Sequence, residues 1–203
     1  MRVAITGNMG SGKSSLATRL GQWGAAVVDA DRCARELLET HESVRQVLAA
    51  AFGRDVLDEN GLMRRGLLAE RAFSDEASCK LLDRLIREPL EKLLWSSIDE
   101  AASEHEIVIL DAPLLFEWGI EDRFDVVIVV TSSVPRAMER LQERGIDVEQ
   151  AARRRAQQWP ASRQIQHADF VVNNDGPLSH LDEEAREIWR RLGTLDGRKD
   201  GSD

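Results

Sequence analysis

Five short apolar runs punctuate the chain, at 2–6, 26–28, 107–110, 126–131 and 170–172, each bounded by turn or helix signals. Their apolarity is continuous and not alternating, the pattern of strands buried on both faces of a parallel sheet. Between them, apolar positions recur with helical spacing over 13–23, 32–52, 64–73, 76–104, 135–144, 148–159 and 178–192. Strands alternating with helices predict an α/β doubly wound parallel sheet of five strands, with ligands beyond the carboxyl ends of the strands. The interval 32–104 is too long for one crossover helix. It is expected to form a helical subdomain, with Pro89 opening or kinking a helix within it. The remaining core is expected from 1–31, 105–135 and 165–196, followed by a disordered tail at 197–203, "GRKDGSD". No repeat or low-complexity linker divides the chain, and its 203 residues suit one domain.

The first apolar run leads into "GNMGSGKSS", residues 7–15. Gly7, Gly12, Lys13 and Ser14 fit the Walker A spacing, and the strand before and helix after supply the context that a chance glycine turn lacks. Bare backbone lets successive N–H groups point into one concavity, and the helix adds its unpaired N–H groups and dipole. The expected result is a polyphosphate cradle of Gly10, Ser11, Gly12, Lys13, Ser14 and Ser15. Lys13 is expected to reach the β and γ phosphates, and the Ser14 hydroxyl to coordinate Mg²⁺. The lysine is informative, since the chain has four lysines against twenty-three arginines. A broad guanidinium fits a narrow cradle poorly.

Composition narrows the partners. The chain is 42% hydrophobic and 31% charged, with a net charge of −9, which argues against a basic surface for nucleic acid. No apolar run reaches the length of a bilayer span, and the first is too short for a signal peptide, so no membrane partner is expected. Cys33 and Cys79 lack metal-type spacing and read as small core residues of a reduced, cytoplasmic protein. The sequence leaves the oligomeric state open.

Three further stretches carry candidate chemistry. "VVDAD", residues 27–31, puts Asp29 and Asp31 at a strand's carboxyl end, where a carboxylate can orient or deprotonate a phosphoryl acceptor. The plainer readings are a helix N-cap for Asp31 and a turn for Asp29. "EIVILDAPLLFEWG", residues 106–119, ends an apolar strand at Asp111, the form of a Walker B carboxylate that holds Mg²⁺ through water. Leu115 and Phe116 after it are either an apolar wall for an organic acceptor or core. Residues 136–163 hold seven arginines against four acids, net +3 inside an acidic protein. Such a stretch suits a lid that closes over phosphates, or else a solvated helix face. "NNDGP", residues 173–177, reads as a turn whose backbone could border a nucleotide base.

Taken together, "ITGNMGSGKS", "VVDAD", "FGRDVLDENGLMRRGLLAERAF", "DAPLLFE" and "QQWPASRQIQHADFVVNN" resemble the dephospho-CoA kinase family over roughly residues 2–192. The resemblance implies a P-loop kinase-type fold with a helical CoA-binding subdomain at 32–104 and an arginine-bearing lid at about 136–164. It implies transfer from ATP, with Mg²⁺, to the ribose 3′-hydroxyl of dephospho-CoA. It makes Asp31 the general base and makes Arg140 and Arg154 the lid arginines, while Asp29, Leu115 and Phe116 stay candidates for the acceptor side from their positions alone. Three positions depart from the family pattern. Asn8 stands where a glycine is usual, which asparagine's ease at positive φ would accommodate; Glu88 replaces a histidine, and Gln164 a lysine for which Arg163 is a possible substitute. A kinase of another small acceptor, such as a nucleoside monophosphate, would share the loop and lid but differ within 32–104. A GTPase-type switch is disfavoured, because no lysine follows an asparagine as guanine recognition by Asn-Lys-x-Asp requires.

Overall fold

A computed structural model describes residues 1–196; the expected disordered tail lies outside the described residues. In chain order the elements are β1 (Arg2–Thr6), α1 (Lys13–Gln22), β2 (Ala26–Asp29), α2 (Ala30–Thr40), α3 (Glu42–Phe52), α4 (Arg65–Ala72), α5 (Glu76–Glu104), β3 (Val108–Asp111), α6 (Leu115–Trp118), β4 (Val126–Thr131), α7 (Val134–Glu143), α8 (Val148–Ala156), α9 (Ala161–Gln166), β5 (Phe170–Asn173) and α10 (Leu178–Asp196). The five strands form one parallel sheet in the order β2-β3-β1-β4-β5. All five expected strands are present, and the architecture is the α/β one that their spacing predicts.

In the three central strands continuous apolarity has the physical cause expected of it, whereas the edge strands β2 and β5 are only partly buried and Val171 is exposed. Val3, Ile5, Ile109, Ile128, Val130 and Val172 pack against Leu16 and Leu20 of α1 and against Leu181, Ile188 and Leu192 of α10. The alternate positions Ala4, Leu110, Val127 and Val129 point to the other face and are equally buried. Fully burying each Val, Leu or Ile contributes roughly 1.5–3 kcal/mol. This interior fixes the carboxyl ends of β1, β3 and β4: Ile5 lies opposite Asp111, Thr6 opposite Val129, and the amide of Ala112 donates to Ile5 O at 3.1 Å.

The chain divides into two compact units, Met1–Val28 with everything from Glu100 onward, and Asp29–Asp99. The second unit is helical, with Leu37, Leu48, Phe52, Val56, Leu68 and Leu94 in its interior. Within it, Arg71 pairs with Asp55 and donates to Phe52 O at 2.6 Å, tying α4 to the end of α3. Two expectations for this region need correction. The single helix read over 32–52 is two, because His41 adopts an extended backbone (φ −103°, ψ 94°) between α2 and α3. α5 begins at Glu76, as the helical spacing over 76–104 predicts, where Asp75 accepts the Ser78 N–H at 2.8 Å, and it carries Pro89 in its interior, so of the two roles expected of the proline it does not take that of opening a helix. Burial pushes the Cys33 thiol above its ordinary range.

Candidate active site

The loop between β1 and α1 is built by close approach. Gly7 has φ +143°, and a Cβ on it would stand 2.1 Å from Val130 O; Gly12 has φ +99°, and a Cβ there would stand 2.1 Å from Asn174 Nδ2. Only glycine satisfies both the angle and the space at these two points. The Ser11 amide closes the turn onto Asn8 O at 3.1 Å. α1 then begins at Lys13 with Gly12 as its cap, no side-chain capping bond and no acid in its first turn. The positive end of the helix is therefore presented without a neutralising carboxylate of its own, the condition that favours a bound anion. Ser11 is buried, and its Oγ has no hydrogen-bond partner among the described residues.

Lys13 is half-buried, Ser15 half-buried and Ser14 exposed, on the first turn of α1. Asp111 is buried at the end of β3, in register with Ile5, two residues before the loop. A serine hydroxyl and a carboxylate are hard oxygen donors of the kind Mg²⁺ takes.

The capping role offered to Asp31 falls to the other aspartate of the pair. Asp29, not Asp31, is the N-cap of α2: its Oδ1 accepts the Arg32 N–H at 3.0 Å. Asp31 is exposed in the first turn of that helix. The cap reading of Asp31 and the turn reading of Asp29 are both replaced, and the Asp31 carboxylate is relieved of the capping duty.

Leu115 is fully buried and Phe116 nearly so, with the Phe116 ring stacked on Trp159 at 5.3 Å and an interplanar angle of 11°. In this structure the pair is interior packing. Glu117, beside them, accepts the Trp159 N–H, and burial pushes its carboxyl above the usual range.

The arginines separate by surroundings. Arg140, on α7, donates through Nη2 to Asn174 O at 2.7 Å, with Nη1 3.5 Å from Ser11 O. Arg154 lies on α8, with its side chain outside the described residues. Arg153 is exposed and within 3.5 Å of Glu149. Arg155, passed over in the sequence, donates to Met9 O at 2.9 Å, and burial lowers its pKa from the ordinary value.

Asn8 and Gln164 owe their fit to causes other than those expected. Asn8 does not have a positive φ; its Nδ2 donates to Trp159 O at 3.0 Å. Gln164 is buried and donates to the same carbonyl at 3.0 Å, while Arg163 lies over the Trp159 ring, 3.3 Å from its centroid. Two residues that sequence reasoning missed also touch the loop. Asn174 Nδ2 donates to Ser11 O at 2.8 Å, and Gln158 bonds to both Gly7 and Met9. Asn174 had a signal in "NNDGP", which read as a turn with its backbone beside a nucleotide base, not as a side chain bonded to the loop. Gln158 had none beyond lying within a quoted motif.

The family model for dephospho-CoA kinase (CoaE) matches residues 1–180. The chain belongs to the dephospho-CoA kinase family. It is 37% identical over 194 residues to the dephospho-CoA kinase of Corynebacterium diphtheriae, covering 95% of this chain and 97% of that one. It is 36% identical over 193 residues to the enzyme of Thermobifida fusca, covering 95% and 96%. Among solved structures, the Thermus thermophilus protein TT1252 superposes with a TM-score of 0.76 at 30% identity, over 95% of this chain and 97% of the other. Dephospho-CoA kinase from Campylobacter jejuni has the same fold, with a TM-score of 0.72 at 19% identity over 96% and 98%. No helix among the described residues is long and apolar enough to cross a membrane.

Proposed function

We propose that this member of the dephospho-CoA kinase family transfers the γ-phosphoryl group of ATP to the ribose 3′-hydroxyl of dephospho-CoA, yielding coenzyme A and ADP. The observation that carries the reading is the uncapped N-terminus of α1 behind a glycine loop too crowded for any Cβ at Gly7 and Gly12. That is a phosphate seat in a chain matched by the family model over residues 1–180. The cradle is assigned to Gly10, Ser11, Gly12, Lys13, Ser14 and Ser15, whose N–H groups and ammonium receive the phosphate oxygens. Lys13 offsets the charge spread over the transferring group, and Arg140 and Arg154 add positive charge from α7 and α8. Asp31 accepts the proton of the 3′-hydroxyl as that oxygen bonds to the γ-phosphorus and the bond to the ADP oxygen breaks. Asp29 holds the start of α2, and with it the backbone of Asp31. Ser14 and, through water, Asp111 are the residues that would hold Mg²⁺, and the ion would supply positive charge to offset the negative charge developing on the phosphoryl oxygens. The helical stretch 32–104 is assigned to the CoA substrate, and 136–164 to the lid.

The test is a competition of acceptors with ATP and Mg²⁺. Dephospho-CoA is expected to be phosphorylated with far higher kcat/KM than AMP or a free nucleoside, and the product to carry its new phosphate at the 3′ position. Preferential phosphorylation of AMP would overturn the reading.

A further inference from the structure

We infer that Gln158 is a positioning residue for nucleotide binding: its single amide sets the backbone of residues 7–9, and through it the shape of the phosphate seat. Gln158 lies in the connector between α8 and α9 and is only 9% exposed. Its Oε1 accepts the Met9 N–H at 2.7 Å, and its Nε2 donates to Pro113 O at 2.8 Å and to Gly7 O at 3.3 Å. One acceptor and two donors are thus engaged with backbone of two different loops, which accounts for both N–H groups of the amide. Gly7 and Met9 lie on either side of Asn8 in the loop after β1, and Pro113 follows the strand that ends in Asp111. The amide therefore fixes the distance between the loop that receives phosphates and the strand end assigned to Mg²⁺.

Neighbouring bonds act in the same direction. Arg155 donates to Met9 O at 2.9 Å and Asn8 Nδ2 to Trp159 O at 3.0 Å, so residues 155–159 engage the three consecutive loop residues Gly7, Asn8 and Met9. Two consequences follow. The Met9 N–H is committed to Gln158 and not to phosphate, so the cradle is left to N–H groups from Gly10 onward. The loop also cannot relax around a different ligand without breaking buried bonds, each of which leaves an unsatisfied group when lost. No other natural side chain offers the same reach with one acceptor and two donors. Asparagine is a methylene short, glutamate loses both donors when ionised, and leucine fills the space with no polar atom.

The inference rests on the ATP reading only for its choice of nucleotide, so binding of ADP is measured by calorimetry alongside turnover. Gln158→Leu is expected to weaken ADP binding and raise KM for ATP by about tenfold or more, the equivalent of one or two lost buried bonds. KM for dephospho-CoA should stay within about twofold of wild type, since the amide touches only the nucleotide loop and Pro113. Gln158→Glu supplies a second arm that does not depend on how the leucine variant folds. The ionised carboxylate faces two carbonyls and cannot donate, whereas the protonated acid restores one donor and keeps the acceptor for Met9. Its ADP affinity, taken relative to wild type at the same pH, is expected to recover severalfold as pH falls from 8 to 6. Unchanged ADP binding in Gln158→Leu, or a Gln158→Glu defect independent of pH, would overturn the inference. A wild type that binds ADP yet does not phosphorylate dephospho-CoA would overturn the proposed function while the calorimetric arms still decide on Gln158.

Discussion

Asp29 and Asp31 are two residues apart, and the structure makes their replacement a clean separation of cap from base. The perturbations are Asp31→Asn, Asp29→Asn and Asp29→Ala. Asp29 accepts the Arg32 N–H at 3.0 Å. Asparagine caps about as well as aspartate, so Asp29→Asn should change stability by a few tenths of a kcal/mol. Asp29→Ala removes the acceptor and should cost about 1 kcal/mol, or roughly 2–4 °C in Tm for a chain of this size. Asp31 is exposed and makes no cap, so Asp31→Asn forfeits only its interaction with the α2 dipole, about 0.3–1 kcal/mol. Its effect on rate should be far larger. Removing a positioned base costs on the order of 10²–10⁴ in kcat, and a loose phosphoryl-transfer transition state, in which the acceptor loses its proton late, points to the lower end. The assay is kcat at saturating ATP and dephospho-CoA, with urea denaturation of each variant. An Asp31→Asn enzyme that keeps most of its kcat while Asp29→Asn loses it would refute the assignment.

Lys13→Ala should lower kcat by about a hundredfold or more, the usual worth of a group that offsets transition-state charge, with an unchanged circular dichroism spectrum; near-normal turnover would remove Lys13 from the chemistry. Arg140→Ala should lower both kcat/KM for ATP and stability, because the guanidinium also holds Asn174 O at 2.7 Å, a charged bond worth about 1.5–3 kcal/mol. Arg154→Ala should lower kcat/KM for ATP with little change in Tm, and a fall in Tm with normal kinetics would mark that arginine as structural. Burial raises the Glu117 pKa above its ordinary 4.5, so the folded protein holds this proton more tightly than the unfolded chain does. The stability it contributes is complete below about pH 4.5 and is lost as pH rises through the folded value. Glu117→Gln removes that titration, so urea melts should show the variant gaining on wild type between pH 5 and pH 8, and a pH-independent difference would contradict the shift.

What the sequence disclosed and what it hid follow from the range of the forces involved. The strands were legible because burial on both faces leaves runs such as "VVIVVT" with no polar residue to interrupt them. The phosphate loop was legible because close backbone approach tolerates only glycine at a few fixed spacings, and the crowding of Gly7 against Val130 and of Gly12 against Asn174 is that cause made visible. The break at His41 was hidden because apolar spacing continues across it, from Leu37 to Val44 and Leu48, and periodicity registers a face, not a turn. α6 and α9 were hidden because four and six residues are too few to establish a period.

The candidate site was divided in the same way. Its backbone chemistry is local in sequence, whereas the side chains that hold the loop reach it from far along the chain: Gln158 and Asn174 bond Met9 and Ser11 of the loop across separations of 149 and 163. Glutamine and asparagine carry no charge and repeat with no period, so nothing in a linear pattern distinguishes a buried clamp from a solvated amide. Their burial does. A polar side chain that is 9% or 5% exposed must have its hydrogen bonds met, and here groups of the glycine loop meet them, with Pro113 O taking one bond of Gln158. The arginine-rich stretch shows the converse. Excess charge marked a segment that reaches the glycine loop, but Arg153, Arg154 and Arg155 are indistinguishable in sequence. Only the fold reveals that Arg155 turns inward to Met9 O while Arg153 remains outside with Glu149.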